Sequence, residues 1–343
     1  MNIRSKLEIF TKESLCSLQR EAQKIRFQKH PKREVSYVLD TNPNYTNICT
    51  IGCLFCPFRR SPHDPDAYHL SSDAVMSRLE RASKEGLTTV LLQGGIHEKV
   101  TAEYLIELVK RSRREYPSLH PHFFSAPEIY HAAQTSTISV EKLLEMLWEA
   151  GQRTIPGGGA EILSPRVHAQ ISPKKITPDQ WIDVHRKAHN IGFTTTATMM
   201  FGHVEDPEDI VIHLEAIHAL QEETGGFSAF IPWSYKRANN PLGKRIQTEA
   251  PAELYYRIIA FSRLYLHNFA HISASWFGEG KEVGAQALNF GADDFGGILY
   301  EEHVHKAADH SLSITIEELR SLIESQRFTP VERDAFYQKR ILR

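Results

Sequence analysis

The chain has 343 residues, of which 41% are apolar, 10% aromatic and 24% charged, and its formal net charge is −2 at pH 7. This apolar content supports a large core and excludes a disordered chain or a small disulfide-stapled scaffold. Because the net charge is close to zero, neither nucleic acid nor an anionic membrane is expected as a partner.

No membrane helix is predicted from the sequence. The longest stretch without charged side chains, residues 41–58, contains three asparagines and two prolines, which a membrane-spanning helix would not be expected to contain. The first residues lack the apolar core of a signal peptide, and a cytoplasmic location is therefore expected.

Short β-prone runs alternate with helical patterns along the chain. An amphipathic stretch at residues 15–27 comes first, and strands are predicted at residues 45–48, 88–92, 122–125, 153–155, 194–199, 227–231, 271–275 and 293–295. The spacing of apolar residues predicts helices at 103–116, 140–150, 207–223 and 252–269, followed by a packing helix at 314–326. Alternation of this kind indicates a parallel sheet in an α/β fold.

Eight strand–helix units favour a (β/α)8 TIM-type barrel with added N- and C-terminal helices. An open sheet of six or seven strands is the alternative, because the fourth and eighth predicted strands are short. The predicted division is an N-terminal helical extension at 1–34, a barrel at 35–310 and a C-terminal helical extension at 311–343. In such barrels the chemistry lies at the carboxyl ends of the strands, where glycines here accompany polar and aromatic residues. This pattern predicts a ring of small residues around a large ligand.

The cysteines give the first specific signal. Three of the four, Cys49, Cys53 and Cys56, fall within eight residues in a C-x3-C-x2-C pattern. Thiolates are soft ligands that suit iron–sulfur clusters and zinc. A closed zinc site needs four ligands, and Cys16 or His63 would have to complete the set. Three cysteines on a 4Fe–4S cluster would instead leave one iron for a substrate or cofactor. From spacing alone, an open iron–sulfur site, a zinc-stabilised binding protein and a metal-free loop all remain possible.

The C-x3-C-x2-C loop, with Phe55 before its last cysteine, resembles the signature of the radical S-adenosylmethionine enzymes. The resemblance implies that Cys49, Cys53 and Cys56 bind a 4Fe–4S cluster and that S-adenosyl-L-methionine chelates the fourth iron. Reductive cleavage of that cofactor would then yield a 5′-deoxyadenosyl radical, which abstracts a hydrogen atom from a substrate. The implied protein is an oxidoreductase that depends on a reductant protein such as flavodoxin or ferredoxin.

Strings outside the loop narrow the resemblance to the futalosine (menaquinone) branch of that family. They cover residues 35–310 and read NYTNICTIGCLFC, LLQGGIH, PGGGAEIL, TATMMFGHVE, FIPWSY and NFGADDFGG. FIPWSY and ADDFGG are similar to the cyclic dehypoxanthine futalosine synthases of the branch. This similarity implies a nucleoside substrate, hydrogen abstraction from its ribose C4′ and carbon–carbon bond formation to its benzoate ring, in menaquinone biosynthesis. Aminofutalosine synthase and deazaflavin-cofactor synthase are the alternatives within the superfamily.

The resemblance also assigns roles to individual residues. The turn at residues 93–95 would bind the cofactor through backbone atoms, Trp233 and Tyr235 would stack on the substrate, and His203 or Glu205 would accept a proton. The cofactor-binding candidates are Phe55, Gln93, Gly94, Gly95, Ser125 and Glu161; the substrate-binding candidates are Trp233, Tyr235 and Asp293. Pro57, Tyr235 and Asp293 depart from the residues that are usual in the branch, but none of them removes a cluster ligand.

Overall fold

The computed structural model describes residues 3–301, 303, 307 and 313–340. Its strands are β1 Glu34–Val38, β2 Asp40–Thr41, β3 Thr89–Leu92, β4 His120–Phe123, β5 Thr154–Ile155, β6 Thr194–Phe201, β7 Phe227–Ser234, β8 His271–Ile272, β9 Asp294–Gly297 and β10 Thr329–Glu332. Its α-helices are α1 Ile3–Lys12, α2 Leu15–Lys29, α3 Ser72–Lys84, α4 Ala102–Glu115, α5 Ala126–Thr135, α6 Val140–Glu149, α7 Pro165–Ile171, α8 Pro178–Ile191, α9 Pro207–Thr224, α10 Ala252–Tyr265, α11 Trp276–Glu279, α12 Lys281–Ala287 and α13 Ile316–Ser325.

Two parallel sheets form one curled layer. Strands β2 to β8 pair in sequence order, and a second sheet has the order β10-β1-β9. The two sheets are joined twice: β1 runs almost directly into β2, and a parallel bridge links Ser273 to Asp294. The predicted parallel α/β barrel is therefore confirmed. The ends of β3 to β8 and the turns that follow them meet at one rim, where the cysteine loop also lies.

Helices cover the outside of the sheet and close the core against it. Local sequence signals explain where they begin: α8 starts at Pro178 behind a capping box formed by Thr177 and Gln180, and α9 starts at Pro207 behind a capping box formed by Asp206 and Asp209. Glycines in left-handed conformations, Gly192 at the end of α8 and Gly225 at the end of α9, stop the helices before β6 and β7. Among the helices of the described chain, none has both the length and the apolar character required to cross a bilayer.

The predicted first strand at residues 45–48 is wrong. The first strand is β1, in which Val35 and Tyr37 are buried, and residues 45–48 form a loop in which Thr46 and Ile48 make only isolated bridges, to His69 and Arg60. Instead of a strand ladder, scattered backbone and side-chain hydrogen bonds fix the loop, such as those from the Leu70 amide to the Tyr45 carbonyl (2.9 Å) and from the Thr46 hydroxyl to the Tyr68 carbonyl (2.7 Å). The seventh predicted strand, at residues 271–275, begins correctly at His271 but ends at Ile272.

The C-terminal region is only partly the predicted helical extension. It contains α13, but it also contains β10, which pairs with β1 from Glu34–Thr329 to Tyr37–Glu332. The predicted boundary at residues 310 and 311 lies outside the described residues, so the domain division stays a prediction.

Candidate metal and cofactor site

A cavity of about 380 Å³ runs along the axis of the curled sheet. Its volume falls in the range typical of small-molecule sites. One end carries the cysteine loop and the glycine-rich turns, and the other end reaches the inner faces of the strands and residues 333–337. The residues that line it include Asp40, Cys49, Cys53, Phe55, Cys56, Gln93, Gly94, Gly95, His122, Ser125, Gly157, Gly158, Gly159, Glu161, Lys175, Thr196, Thr198, Trp233 and Arg333.

The cysteine loop is held by hydrogen bonds to distant parts of the chain. The amide of Cys49 donates to the Arg60 carbonyl (3.1 Å), and that of Leu54 donates to the Ile171 carbonyl (2.8 Å). The side-chain amide of Asn240 donates to the Phe55 carbonyl (2.8 Å). The three thiols therefore occupy fixed positions on the cavity wall, as a site for a preformed metal group requires.

The thiols are shielded from solvent, and one cation, the Lys175 ammonium, lies near them. Burial raises the pKa of Cys53 to about 12, with the nearby Lys175 ammonium opposing the shift. Burial also raises the pKa of Cys56, against hydrogen bonds from the backbone of Arg59 and Phe58. Thiolates are thus costly here without a metal, and binding of a cationic cluster would release protons from these side chains.

The donor set fits a cluster better than a single ion. All four cysteines are free thiols. Zinc holds thiolates at about 2.3 Å, which puts sulfurs about 3.8 Å apart. Among the described residues, the groups of three potential ligands within 4.8 Å of one another contain histidines and carboxylates, and the three cysteine sulfurs do not form such a group. Cys16 is exposed on α2 and is absent from the cavity wall, so three sulfurs spread around one cavity are available for a larger inorganic group.

The turn after β3 packs directly on the cysteine loop. A Cβ atom at Gly95 would lie 2.1 Å from the Ile48 carbonyl oxygen, so only glycine fits. The amide of Gly94 donates to Glu128 Oε1 (2.9 Å), and the amide of Ser125 donates to Glu128 Oε2 (2.7 Å). Tyr45 donates to the same carboxylate (2.6 Å). Glu128 thus ties two predicted cofactor-binding turns to the loop that precedes the cysteines.

Glu161 and Lys175 form the charged pair of the cavity. The Lys175 ammonium lies 2.7 Å from both carboxylate oxygens of Glu161. The Lys175 side chain is 10% exposed and the Glu161 side chain is 9% exposed. Burial lowers the pKa of Lys175, but the Glu161 carboxylate outweighs that effect and the net pKa is raised. Glu161 has a left-handed backbone with φ of 44°, an unfavourable conformation for a residue with a side chain. Lys175 also lies 5.5 Å from the centre of the Phe55 ring, which connects the pair to the cysteine loop.

The structure brings most of the predicted site residues together on the cavity wall. Phe55, Gln93, Ser125 and Trp233 line it together with the three cysteines and the glycine turn. The remaining predicted residues are His203, Glu205, Tyr235 and Asp293, and none of them is among its lining residues.

Hydrogen bonds explain the position of these four residues. Nε2 of His203 bonds the Met200 carbonyl (3.0 Å), and Glu205 accepts from the His203 amide (2.8 Å), so the pair organises its own turn. Tyr235 donates to Asn240 (2.9 Å), the residue that holds the Phe55 carbonyl. Asp293 binds Arg263 and His271 outside the cavity. Burial alone would raise the pKa of Asp293, but the Arg263 guanidinium outweighs that effect and the net pKa is lowered. The four residues thus lie outside the cavity wall, and their catalytic and substrate-binding roles stay predictions.

Sequence reasoning missed Lys175, His122, Asp40 and Arg333. Lys174 and Lys175 are adjacent and chemically identical, so nothing in the sequence marks the second as buried. His120 and His122 are two residues apart on β4, and this spacing predicts that both side chains lie on the same face of the strand. Burial raises the pKa of Asp40 to about 6, while the Leu299 amide donates to its carboxylate (2.9 Å).

Comparison with known protein families agrees with this geometry. The Radical SAM superfamily matches residues 43–217, and the CofH/MqnC C-terminal region matches residues 224–343. The chain belongs to the radical S-adenosylmethionine superfamily. Membership implies a 4Fe–4S cluster and S-adenosylmethionine as cofactors. It also identifies the cavity at the cysteine loop as the place where this family's chemistry would occur.

Curated relatives fall into two groups. The chain is 38% identical over 311 residues to the 5-amino-6-(D-ribitylamino)uracil--L-tyrosine 4-hydroxyphenyl transferase of Methanococcoides burtonii, which covers 89% of this chain and 86% of the relative. It is 32% identical over 338 residues to the cyclic dehypoxanthine futalosine synthase of Halalkalibacterium halodurans, which covers 98% of this chain and 91% of the relative.

Solved structures show the same fold at low sequence identity. Methylornithine synthase (PylB) superposes with a TM-score of 0.73 and 18% identity over 96% of this chain and 92% of that one. The FeFe-hydrogenase maturase HydG from Carboxydothermus hydrogenoformans gives a TM-score of 0.74 and 17% identity over 99% of this chain and 78% of that one.

Proposed function

We propose that this enzyme converts dehypoxanthine futalosine into its cyclic form in menaquinone biosynthesis. The observation that carries the proposal is the extent of similarity to the Halalkalibacterium halodurans synthase, which covers 98% of the chain. An alignment that omits so little of 343 residues must include Arg333, which lies ten residues from the C-terminus and on the cavity wall. The similarity therefore extends to the end of the cavity opposite the cysteine loop, where a substrate would lie.

When bound, the cluster and S-adenosylmethionine would supply the 5′-deoxyadenosyl radical for hydrogen abstraction from ribose C4′. Cys49, Cys53 and Cys56 would hold the cluster. In this proposal the backbone of residues 93–95 and the carboxylate of Glu161, which line the same cavity as the cysteines, would bind the polar groups of the cofactor. Because Gly94 and Gly95 have no side chains, their backbone packs against the loop before the cysteines and leaves the cavity open for a ligand.

The chain contributes to the later steps by positioning and by excluding water. Trp233 would offer an aromatic face to the benzoate ring, and Leu91 and Ile231 contribute apolar side chains to the cavity wall. Such an environment protects a carbon radical from side reactions. After ring closure the substrate must lose one proton to a base and one electron to an iron–sulfur or flavin electron carrier, which restores the aromatic ring.

A second candidate is the transfer of the 4-hydroxyphenyl group of tyrosine to 5-amino-6-(D-ribitylamino)uracil. Identities of 36–39% to relatives with that activity, above the 32% to the futalosine synthase, favour it. The two reactions differ in their substrates, because cyclisation needs one molecule and the transfer needs two.

The test is an anaerobic incubation of the reconstituted enzyme with S-adenosylmethionine, a reductant and either substrate set. We expect dehypoxanthine futalosine alone to release 5′-deoxyadenosine and to give a product lighter by two hydrogen atoms. Mass spectrometry of the product detects this change. Turnover only with tyrosine plus 5-amino-6-(D-ribitylamino)uracil would assign the chain to the second reaction and overturn the proposal.

A further inference from the structure

A row of hydrogen-bonding side chains leads from the cavity to the opposite end of the barrel. Nδ1 of His122 lies 2.7 Å from the Thr154 hydroxyl oxygen, and Nε2 of His120 lies 2.8 Å from the same atom. His122 lines the cavity, whereas His120 is the first residue of β4 and lies one layer further from the cysteine loop. The row therefore crosses the inside of the barrel from the substrate region toward its amino-terminal face.

The strand geometry fixes this arrangement. Side chains two residues apart on a strand point to the same face, so His120 and His122 both point inward. β4 and β5 pair at His122 and Thr154, which places the hydroxyl between the two rings. A threonine hydroxyl donates one hydrogen bond and accepts others, and a neutral imidazole has one donor and one acceptor nitrogen. The three groups can therefore form a chain with one consistent hydrogen-bond direction.

The surroundings keep both rings neutral. Burial lowers the pKa of His122 to about 3, with His120 and Arg333 adding to the shift, and burial lowers the pKa of His120 to about 4. Arg113 and Arg153 add to the shift at His120, and Asp334 opposes it. Among the described residues, Nε2 of His122 has no hydrogen-bond partner. His120 is partly exposed and packs edge-on against Phe336, which is itself 39% exposed.

We propose that His122, Thr154 and His120 form a proton relay that carries the proton released by the substrate out of the cavity, an inference that rests on the proposed function. Nε2 of His122 accepts the proton while its Nδ1 proton passes to the Thr154 hydroxyl. The hydroxyl proton passes to Nε2 of His120, and the Nδ1 proton of His120 leaves to water. One proton enters, one leaves, and all three groups end uncharged. The electron is not part of this step and goes to the electron carrier.

The relay would separate proton release from the cofactor. The cysteine loop lies at the carboxyl ends of the strands, and the exit lies at their amino ends. Proton loss follows hydrogen abstraction, so a broken relay should leave radical events that do not end in product. The informative quantity is therefore the amount of cyclised product formed per 5′-deoxyadenosine released.

The experiment compares T154V with T154S. Valine keeps the shape of the side chain but removes the hydroxyl, whereas serine retains the hydroxyl. We expect T154V to lower the product formed per 5′-deoxyadenosine by about 10-fold or more, and T154S to restore a ratio close to that of the wild type. Equal ratios in the two variants would overturn the relay. Iron content and thermal midpoint are measured alongside. If T154V does not retain its cluster, H122N replaces it, with the same ratio as the readout.

A second measurement does not depend on the substrate. In ¹⁵N-histidine-labelled holoenzyme at pH 7, NMR should show His122 and His120 neutral, with Nε2 of His122 unprotonated and ready to accept a proton. A protonated Nε2 on His122 would overturn the relay even if the cyclisation assay succeeds. Failure of the wild-type enzyme to convert dehypoxanthine futalosine would instead overturn the proposed function and the relay with it, whereas a protonated Nε2 in an enzyme that cyclises this substrate would overturn the relay alone.

Discussion

Replacing Lys175 by methionine should destabilise the protein because it leaves the buried Glu161 carboxylate without a partner. The ammonium lies 2.7 Å from both oxygens. At an effective dielectric constant of about 20, that separation gives an attraction of roughly 6 kcal/mol, which the cost of burying both ions largely offsets. The pair as a whole contributes little, but an orphaned buried charge costs about 3–5 kcal/mol.

The assay is a double-mutant cycle with K175M, E161Q and the double variant. Anaerobic urea unfolding of the holoenzyme, at matched iron content, gives the free energy of unfolding of each protein. We expect K175M to lose about 3–5 kcal/mol, and the double variant to regain at least half of that loss because glutamine carries no charge. Additive losses in the double variant would refute the reasoning, since they would show that the two side chains do not depend on each other.

Three further predictions concern the cluster loop and the buried histidines. C53S should lose its bound iron and sulfide while the exposed C16S retains them; equal loss in both, by metal analysis, would make Cys16 a ligand. G95A should lose most of its iron by the same measurement, because its Cβ would meet the Ile48 carbonyl at 2.1 Å. Burial lowers the pKa of His213 to about 3, so the unfolded chain binds more protons below pH 6.5 and stability falls as the pH drops. H213Q, which can still accept the Leu163 amide hydrogen bond, should remove about 2 kcal/mol of the loss between pH 6.5 and 5 in urea unfolding, and an unchanged pH dependence would contradict this account.

The fold was predictable where local signals agree with the tertiary structure. The strands β3, β6 and β7 and the helices α4, α6 and α9 were predicted close to their observed limits because apolar spacing, proline and capping residues all favour the same element. The first strand was misplaced because the loop at residues 45–48 is β-prone but is bound to the cysteine loop. The strand β10 escaped prediction because its partner β1 is far away in sequence, and local patterns carry no information about that pairing.

The site was predictable where chemistry demands a fixed spacing. The three cysteines and the glycine turn stand out because few other residues perform those roles. His203, Glu205, Tyr235 and Asp293 belong to equally distinctive strings, yet hydrogen bonds direct them into the structure around the cavity. Which polar residues line a cavity depends on packing, and Lys175 and His122 emerge only once the strands and loops are assembled.

The pairing of β10 with β1 joins residues 295 positions apart, Glu34 and Thr329. Arg333, which follows β10 and lines the cavity, is therefore synthesised long after β1. The wall of the cavity at that end is therefore incomplete until residues 329–333 have been synthesised and β10 has paired with β1. Closure of the reaction chamber thus depends on a contact that forms late and joins distant parts of the sequence.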